Sequence, residues 1–426
     1  MLYVWGMEQQ LTFPDTDRAS YEVWKKRVLK ELGELPFESL IKTNSEDLVV
    51  QPGYTHDQHG PVLDIPEADL PFLFRNPSHE WELRVDVKGE NASLNAQILD
   101  ALEGGASGIG FYADGLDAAA FEQVLKGVFA DIIAIHLSFS AFPHHEMRAF
   151  EAAIRALGFD SARIAGTVSF PITSDFSVAQ LNTLRGAFSR MRFLVIDVAA
   201  HREAGASAAQ EVGIALAQAN ELAQQLVAEG MSADELSGLF AFRFGAGTDY
   251  FTEIAKYRAF RFLWLRVIRA YEPTASCAGH AWVYAHAAGS SHAAADPHTN
   301  LLRLTTEAMS AVLGGVNGLA LAGCDPGDSI PSAARWSRNI QHLLHHESVL
   351  NEAVDAARGS WFLETHTASI AQSAWDFFLD VEARGGYQKS VSHINEIITI
   401  RKKQVDDQIA AAKRVVVGYN KYQKKG

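Results

Sequence analysis

The sequence predicts an α/β fold, a (β/α)8 TIM barrel with an N-terminal extended arm and a C-terminal helical segment, and three observations lead there. Between residues 80 and 325, short apolar or mixed runs alternate with helical patterns, an order that calls for a parallel sheet with crossover helices. Eight strand-like runs occur in that span, the number that a closed barrel needs in about 250 residues. The chain has 426 residues, 48% of them apolar, enough to bury a sizeable core. An open doubly wound sheet is the alternative that the same alternation permits.

Taken in order, residues 21–34 read as a helix, and residues 48–54, with Pro52 and Gly53, as an extended piece. This region is too polar and irregular to fold alone. The strand-like runs are residues 81–87, 107–112, 132–139, 164–170, 193–198, 239–244, 281–286 and 318–322. Helical patterns follow most of them, for example 118–130, 144–157, 178–188, 208–228 and 300–313. Beyond the ring, residues 368–383 and 393–412 read as helices joined by a break at Gly385-Gly386. The chain thus divides into an N-terminal arm and helix at 1–70, a barrel at 71–350, and C-terminal helices at 351–426 that lead to a linker. It contains no solenoid repeat and no low-complexity segment.

The stretch Asp249-Tyr-Phe-Thr-Glu253-Ile-Ala-Lys256-Tyr-Arg258-Ala-Phe-Arg261-Phe-Leu-Trp264 is a helix by periodicity. Phe251, Ile254, Ala255, Phe262 and Leu265 form its apolar face, which leaves Glu253, Lys256, Arg258, Arg261 and Arg266 largely elsewhere. Asp249 is placed to cap the first turn.

Alternate residues of a barrel strand face the axis and the helix layer, and the helix-facing set must be apolar. Trp81, Leu83 and Val85 therefore face outward and Glu82, Arg84 and Asp86 inward. Likewise Leu194, Ile196 and Val198 leave Asp197 inside. The same reading directs His136, Ser138, Thr167, Ser169, Arg243, Tyr284 and His286 to the axis. A lumen of charges, imidazoles and hydroxyls must be wet or internally paired, so Arg84 and Arg243 should find Glu82, Asp86, Asp197 or water.

A net charge of -14 and a pI near 5.6, with no long Lys/Arg block, argue against a nucleic-acid partner. The basic concentration at Arg401, Lys402, Lys403, Lys413 and Arg414 reads as a solvated helix face. Cys277 and Cys324 are far apart and form no Cys-x-x-Cys pair, which fits a reducing compartment. No run approaches the roughly 18 to 20 apolar residues of a membrane span. The first seven residues lack the features of a signal peptide. The expected location is the cytoplasm, with no membrane partner.

The Asp249–Trp264 stretch resembles the Glu-Ile-Ala-Lys-x-Arg-Ala-x-Arg-x-Leu-Trp run of the methylmalonyl-CoA mutase family. Further matches follow in order: Asp296-Pro297-x-x-Asn300, Glu307-Ala308-Met309-x-Ala311-Val312-x-Gly314-Gly315, Ala334-Arg335-x-x-Arg338-Asn339-x-Gln341, Glu347-Ser348, Gly359-Ser360-Trp361 with Glu364, Gly385-Gly386, and Val416 to Tyr422. Upstream of Asp249 the resemblance thins.

The resemblance implies a radical carbon-skeleton rearrangement, for which adenosylcobalamin supplies the homolysable bond. The family's cobalamin domain carries an Asp-x-His-x-x-Gly motif after the barrel, and this chain reaches Gly426 about where a linker to that domain is expected. Asp57-Gln58-His59-Gly60 has the wrong spacing and precedes the barrel. No cofactor is therefore expected on this chain, and adenosylcobalamin is expected on a catalytic partner.

The substrate side departs from the family pattern too. Trp-Thr-Ile-Arg-Gln-Tyr of catalytic members reads Trp81-Glu82-Leu83-Arg84-Val85-Asp86 here, so an aspartate replaces the tyrosine that stands against the migrating group. An anion at Asp86 would repel a substrate carboxylate by roughly 1 kcal/mol. The segment of the catalytic histidine is one residue short around His201, and in the His-x-Gln-Thr-Ser-Gly segment the histidine becomes Tyr284 and the glutamine His286.

These departures make Arg84, Asp86, His201, Tyr284 and His286 a vestigial substrate pocket, with Glu82, His136, Asp197 and Arg243 lining the lumen and no catalytic residue expected. In the family a polar lumen admits the pantetheine arm of coenzyme A. Here the same space is a substrate channel or a plugged relic, and the distances from Arg84 and Arg243 to the lumen acids decide.

The resemblance thus implies a non-catalytic small subunit that pairs with a catalytic large subunit as a heterodimer, the arm reaching the partner. The alternative is the substrate-binding barrel of an acyl-CoA mutase that works with a separate cobalamin-binding subunit.

The remaining motifs carry less. The adjacent pairs His144-His145 and His345-His346 should point apart on helices and hold no metal. Asp325-Pro326-Gly327-Asp328 reads as a turn. Gly104, Gly105, Gly108 and Gly110 do not form a dinucleotide fingerprint, since the last two sit within a strand.

Overall fold

A computed structural model describes residues 20–55, 57, 80–89, 91–173, 176–287, 296–325, 330 and 332–423. Most of the Asp57–Gly60 motif, Asp328 and Gly289 lie outside the described residues, as do residues 1–19. Asp325 is described, and its carboxylate accepts from the Ile330 N–H at 3.0 Å.

The first described element is the Tyr21–Leu32 helix, whose Ser20 hydroxyl accepts from the Val23 N–H. Gly53 leaves room for the Trp24 indole, which an added Cβ would meet at 2.8 Å. Strand β1 (Lys42–Thr43) then pairs antiparallel with β2 (Val49–Val50). Their turn is tied by Asn44, whose Oδ1 accepts from the Glu46 and Leu48 N–H groups at 3.0 Å each.

The barrel strands are β3 (Glu82–Asp86), β4 (Gly108–Tyr112), β5 (Ala134–Ser138), β6 (Ala165–Ser169), β7 (Arg190–Arg192), β8 (Leu194–Asp197), β9 (Phe240–Gly245), β10 (Val283–Ala287) and β11 (Gly318–Leu321). Neighbours pair in the order β7-β6-β5-β4-β3-β11-β10-β9-β8, always parallel. Only Phe193 separates β7 from β8. The two segments are thus one stave, its first half paired to β6 and its second to β9, and the nearly closed ring has the eight staves that the sequence predicts. The expected fifth run, 193–198, did not include the half at Arg190–Arg192, which carries two arginines in three residues and so lacks an apolar run.

Outward-facing residues build the core. Ile109, Phe111, Ile135, Leu137, Val168, Ile196, Phe242, Phe244 and Leu319 are almost wholly buried with the helix layer in one cluster. Burying each such aliphatic or aromatic side chain contributes roughly 1.5–3 kcal/mol before entropy is counted. Phe242 meets Phe260 at 4.6 Å and Trp264 at 4.8 Å between ring centres. The Val178–Ala187 and Ala208–Ala228 helices start with capping boxes, Ser177 with Gln180 and Ser207 with Gln210.

Three helix limits differ from expectation. The predicted helix 118–130 ends at Val124, shortly before Gly127 takes φ 79°. The two C-terminal helices start earlier, at Trp361, where the Ser360 hydroxyl accepts from the Leu363 N–H, and at Tyr387. Gly385 and Gly386 lie between them at φ 98° and 94°, a backbone that other residues rarely adopt. The Trp361–Ala383 helix packs on Ala208–Ala228 and Tyr250–Arg269. None of the described helices is long and apolar enough to cross a membrane.

That packing overturns the expected faces of the Tyr250–Arg269 helix. Glu253 and Lys256 are 0% exposed and Arg261 is 1%, whereas Phe251, assigned to the buried face, is 48% exposed. At Glu253, Lys256 and Arg261 the helix faces neighbouring elements rather than solvent, so these charges are paired instead, while Arg266 stays exposed. Asp249 also differs from expectation. It occupies the N-cap position without a capping bond, and its carboxylate accepts from the Ser45 hydroxyl of the arm at 2.7 Å.

Candidate functional site

At mid-height the barrel axis is occupied by side chains. His136 on β5 places Nε2 at 2.5 Å from the Glu82 carboxylate of β3 and Nδ1 at 2.8 Å from the Thr167 hydroxyl of β6. Burial lowers the His136 pKa, against the pull of Glu82, so the ring is neutral. A carboxylate cannot donate; Nε2–H therefore donates to Glu82 and Nδ1 accepts from Thr167.

The Tyr284 ring of β10 stands edge-on to His136 at 5.2 Å, and the Arg84 guanidinium lies over it at 5.4 Å. Burial raises the Tyr284 phenol well above its ordinary pKa. Arg84, His136, Thr167 and Tyr284 are all buried. Backbone makes space for them: a Cβ on Gly318 would meet the Tyr284 ring, one on Gly108 the Glu82 carboxylate, and one on Gly110 the Asp86 carboxylate. Beneath, Val195 and Ala241 close an apolar layer with Tyr284 and Trp282, and Arg192 covers the Trp282 ring at 5.0 Å.

Toward the C-terminal mouth the lumen becomes wetter. The Arg84 Nε donates to Asp86 at 2.7 Å. Arg243 donates to Asp197 at 3.1 Å and lies 3.7 Å from Asp86. Burial opposes the charge of Asp86, yet Arg84 and Arg243 hold its carboxyl well below the usual range. Side-chain exposure of 24–36% for Asp86, Arg243 and Asp197 marks this rim as solvent-accessible.

His286 faces the same rim. Burial, then Arg243, lowers it to about 3, and its buried Nδ1 finds no hydrogen-bond partner among the described residues. His201 sits above β8 on the short Ala199–Glu203 helix. Its Nδ1 is also buried without a partner among the described residues, and burial lowers its pKa.

All nine residues singled out by sequence thus lie in or above the lumen, although His201 shares no hydrogen bond with the others. Both arginines find lumen acids, and Asp86, read as an anion facing substrate, is spent on two guanidinium groups. The chemistry of this lumen is mutual neutralisation. The Arg84, His136 and Tyr284 side chains stand together at this level of the axis.

The sequence reading missed a second set of charges outside the barrel wall. Lys256 donates to Glu211 at 2.9 Å and to the Gly245 carbonyl at 2.5 Å, and lies 2.6 Å from Glu253. Arg202 bridges Glu253 at 2.9 Å and Glu46 of the arm at 2.8 Å, and Arg401 of the C-terminal helix reaches Glu46 at 3.1 Å. Burial would raise Glu46, but Arg202 and Arg401 override it and hold the carboxyl at about 2. Glu211 is raised by burial to about 7, against Lys256.

Arg401 is therefore no solvated residue, unlike its exposed neighbours Lys402 and Lys403. The signal was present in the motif: Glu253 and Lys256 stand three residues apart on one helix, and the residues that complete their network, Glu46, Arg202 and Glu211, each lie 45 or more residues from the partner they bind. The other motif residues are ties as well. Arg258 holds Asp355, Glu364 and Thr367, and Arg261 holds the Ala281 and Gly315 carbonyls and Asn317.

The histidine pairs also differ from expectation. His144 and His145 rings stand 5.5 Å apart, and His345 and His346 rings 4.4 Å apart in edge contact, within a turn of π-helix. Among the described residues no group of three metal-ligating side chains could hold a metal ion.

Comparison with known proteins agrees with the fold. Residues 171–426 match the family described as methylmalonyl-CoA mutase. The methylmalonyl-CoA mutase small subunit of Porphyromonas gingivalis is 29% identical over 97% of this chain and 71% of its own length. That of Streptomyces virginiae is 31% identical over 95% of this chain and 68% of its own length. A methylmalonyl-CoA mutase of Rhizobium meliloti is 28% identical over 94% of the chain, which spans 63% of that protein. Similarity thus extends well upstream of Asp249, where the motifs alone thin out.

Proposed function

From the premise that this chain belongs to the methylmalonyl-CoA mutase family, we propose that it is the non-catalytic small subunit of an adenosylcobalamin-dependent methylmalonyl-CoA mutase, a structural partner of a catalytic large subunit. The observation that carries this reading is the interlocked lumen. Where a substrate arm would pass, Glu82, His136, Arg84 and Tyr284 satisfy one another at 2.5–5.4 Å. Opening that space would strand a buried guanidinium and carboxylate, a cost of about 3–5 kcal/mol.

The partner side of the reading rests on the arm. Val23, Leu29, Leu35 and Val49 are 41–60% exposed on a segment anchored through Glu46 to the barrel and the C-terminal helix. An anchored segment that keeps apolar residues in water suits a heterodimer contact. Adenosylcobalamin belongs, in this reading, to the large subunit, and the pair works in the cytoplasm.

The test is reconstitution. Mixed with a catalytic large chain, this subunit forms a one-to-one complex and raises the large chain's thermal stability. Alone, or with an added cobalamin domain and adenosylcobalamin, it leaves methylmalonyl-CoA unchanged. Conversion of methylmalonyl-CoA by that second mixture would reverse the assignment in favour of a substrate-binding barrel.

A further inference from the structure

Beside the barrel, where the C-terminal helix and tail fold back, lies a cavity of about 990 Å³. We propose that it binds an organic phosphate: a small molecule with an apolar body and a phosphate head. The inference does not depend on the subunit reading.

Its walls come from four parts of the chain. They are the Arg202–Ala206 turn above β8, the loop after β9, the outer face of the Pro297–Leu313 helix, and the end of the Tyr387–Ala410 helix with the tail beyond it, and Glu46 of the arm adds a fifth contribution. The wall is apolar at Leu302, Val405, Ile409, Val415, Val417 and Tyr419, and Leu302 and Tyr419 are 69% and 60% exposed. A volume near the top of the small-molecule range with that lining exceeds what an inorganic ion needs.

Charge selects the head group. Five cationic side chains, Arg202, Arg303, Arg401, Lys402 and Arg414, line the cavity against three acids, Glu46, Glu203 and Asp406, in a chain whose net charge is -14. Two of the cations are spent: Lys402 on Asp406 at 2.9 Å, and Arg202 on Glu253 and Glu46.

The other three line the same cavity. Arg401 shares Glu46 with Arg202, lies 3.9 Å from Asp47 and donates to the Gly205 and Ser45 carbonyls. Arg414 donates to the Ser45 carbonyl, and Arg303 to the Asn300 side chain and the Val417 carbonyl. Among the described residues neither Arg303 nor Arg414 forms an ion pair. Burial lowers the Arg401 pKa, and the nearby charges of Arg202 and Arg414 add to that effect while Glu46 opposes it. The guanidinium groups of Arg303 and Arg414, on the lining of one cavity and without an ion pair among the described residues, match the oxygens of a phosphate dianion.

The tail forms a fixed wall, which favours a small molecule over an incoming strand. Asn420 donates to the Ile409 and Arg414 carbonyls and accepts from the Val416 N–H. Gly418, at φ 77°, packs against Asp296.

Isothermal titration of the full chain with 1-naphthyl phosphate, 1-naphthol and inorganic phosphate tests the proposal. Naphthyl phosphate should bind saturably and more tightly than either fragment. Arg303→Gln with Arg414→Gln should weaken it by about tenfold or more while Arg27→Gln, far from the cavity, leaves it unchanged. Amide hydrogen exchange of the unmodified chain gives a readout that needs no variant: naphthyl phosphate should slow exchange at residues 413–420. Absence of saturable binding, equal affinity in the double variant, inorganic phosphate binding as tightly as the aryl ester, or unchanged exchange would each overturn the assignment. So would a double variant that loses a protein partner but keeps naphthyl phosphate.

Discussion

The barrel lumen and the junction of arm, wall and C-terminal helix both bury charge, but they do it in different ways. In the lumen, partners stand on the strands of one ring: Arg84 and Asp86 are two residues apart on one strand, so both face the axis and meet at 2.7 Å, while Glu82 with His136 and Asp197 with Arg243 pair from strand to strand. At the junction Glu253 and Lys256 are three residues apart on one helix, and the other partners, Glu46, Arg202, Glu211 and Arg401, each come from a different element. The lumen also keeps a wet rim, whereas Lys256, Glu211 and Glu253 are 0% exposed. A network carried by the strands of one ring depends on that ring alone. A network assembled from five elements holds those elements in place and fails with any of them.

The sharpest way to break the comparison is to remove the centre of the junction. Lys256→Met leaves Glu211 and Glu253 facing each other without an ammonium, and should lower unfolding free energy in urea by about 3–5 kcal/mol. Adding Glu211→Gln and Glu253→Gln to that variant should restore part of the loss, because the cost lies in the stranded charges. A further drop on adding them would show that hydrogen bonding, not charge, governs the site.

Lumen substitutions should cost somewhat less. Tyr284→Ala empties the centre of the plug and should destabilise by about 2–4 kcal/mol. Gly318→Ala drives a methyl against the Tyr284 ring and should cost about 1–3 kcal/mol. If both variants unfold at the parent's midpoint in a denaturant titration, the lumen is not packed as described.

Acid titration separates two junction carboxylates by sign. Glu46 has its pKa lowered from 4.5 to about 2, so its stabilisation is present above pH 4.5 and is lost as pH falls toward 2. The amount is on the order of 2–3 kcal/mol. Glu211 is raised from 4.5 to about 7, so its contribution is present below pH 4.5 and is lost as pH rises through 7. Stability measured against pH should therefore lose its acid limb in Glu46→Gln and flatten between pH 4.5 and 7 in Glu211→Gln. Identical profiles for the two variants would contradict the opposite signs.

The smallest effect belongs to an exposed pair. Arg27 and Glu31 on the arm helix meet at 2.8 Å with side chains 78% and 65% exposed. Arg27→Ala should change thermal stability by less than about 0.5 kcal/mol, and less still at high salt.

How much of this was legible in the sequence depends on the range of the interaction. The alternation that sent Glu82, Arg84, Asp86, Asp197, Arg243, Tyr284 and His286 to the axis is a period of two residues, fixed by strand geometry whatever the surroundings. It located the lumen. Whether the lumen was open could not be read, because that depends on Tyr284 of β10 meeting His136 of β5 across the ring, and on Gly108 and Gly318 lacking side chains at that level. The Tyr250–Arg269 helix shows the converse. Its periodicity marked a helix, but the burial of its charged residues came from neighbours on several sides.

By itself, then, the sequence determined the eight-stave ring, the identity of most lumen residues and the family to which the chain belongs, since those follow from short-range period and from ordered motifs. Tertiary structure alone decided that the lumen is filled, that Glu46 of the arm is bound between Arg202 and Arg401, and that a cationic cavity lies beneath the tail. The physical reason is common to all three. Burial and pairing of a charge are properties of the space around it, and that space is assembled from segments that no local pattern connects.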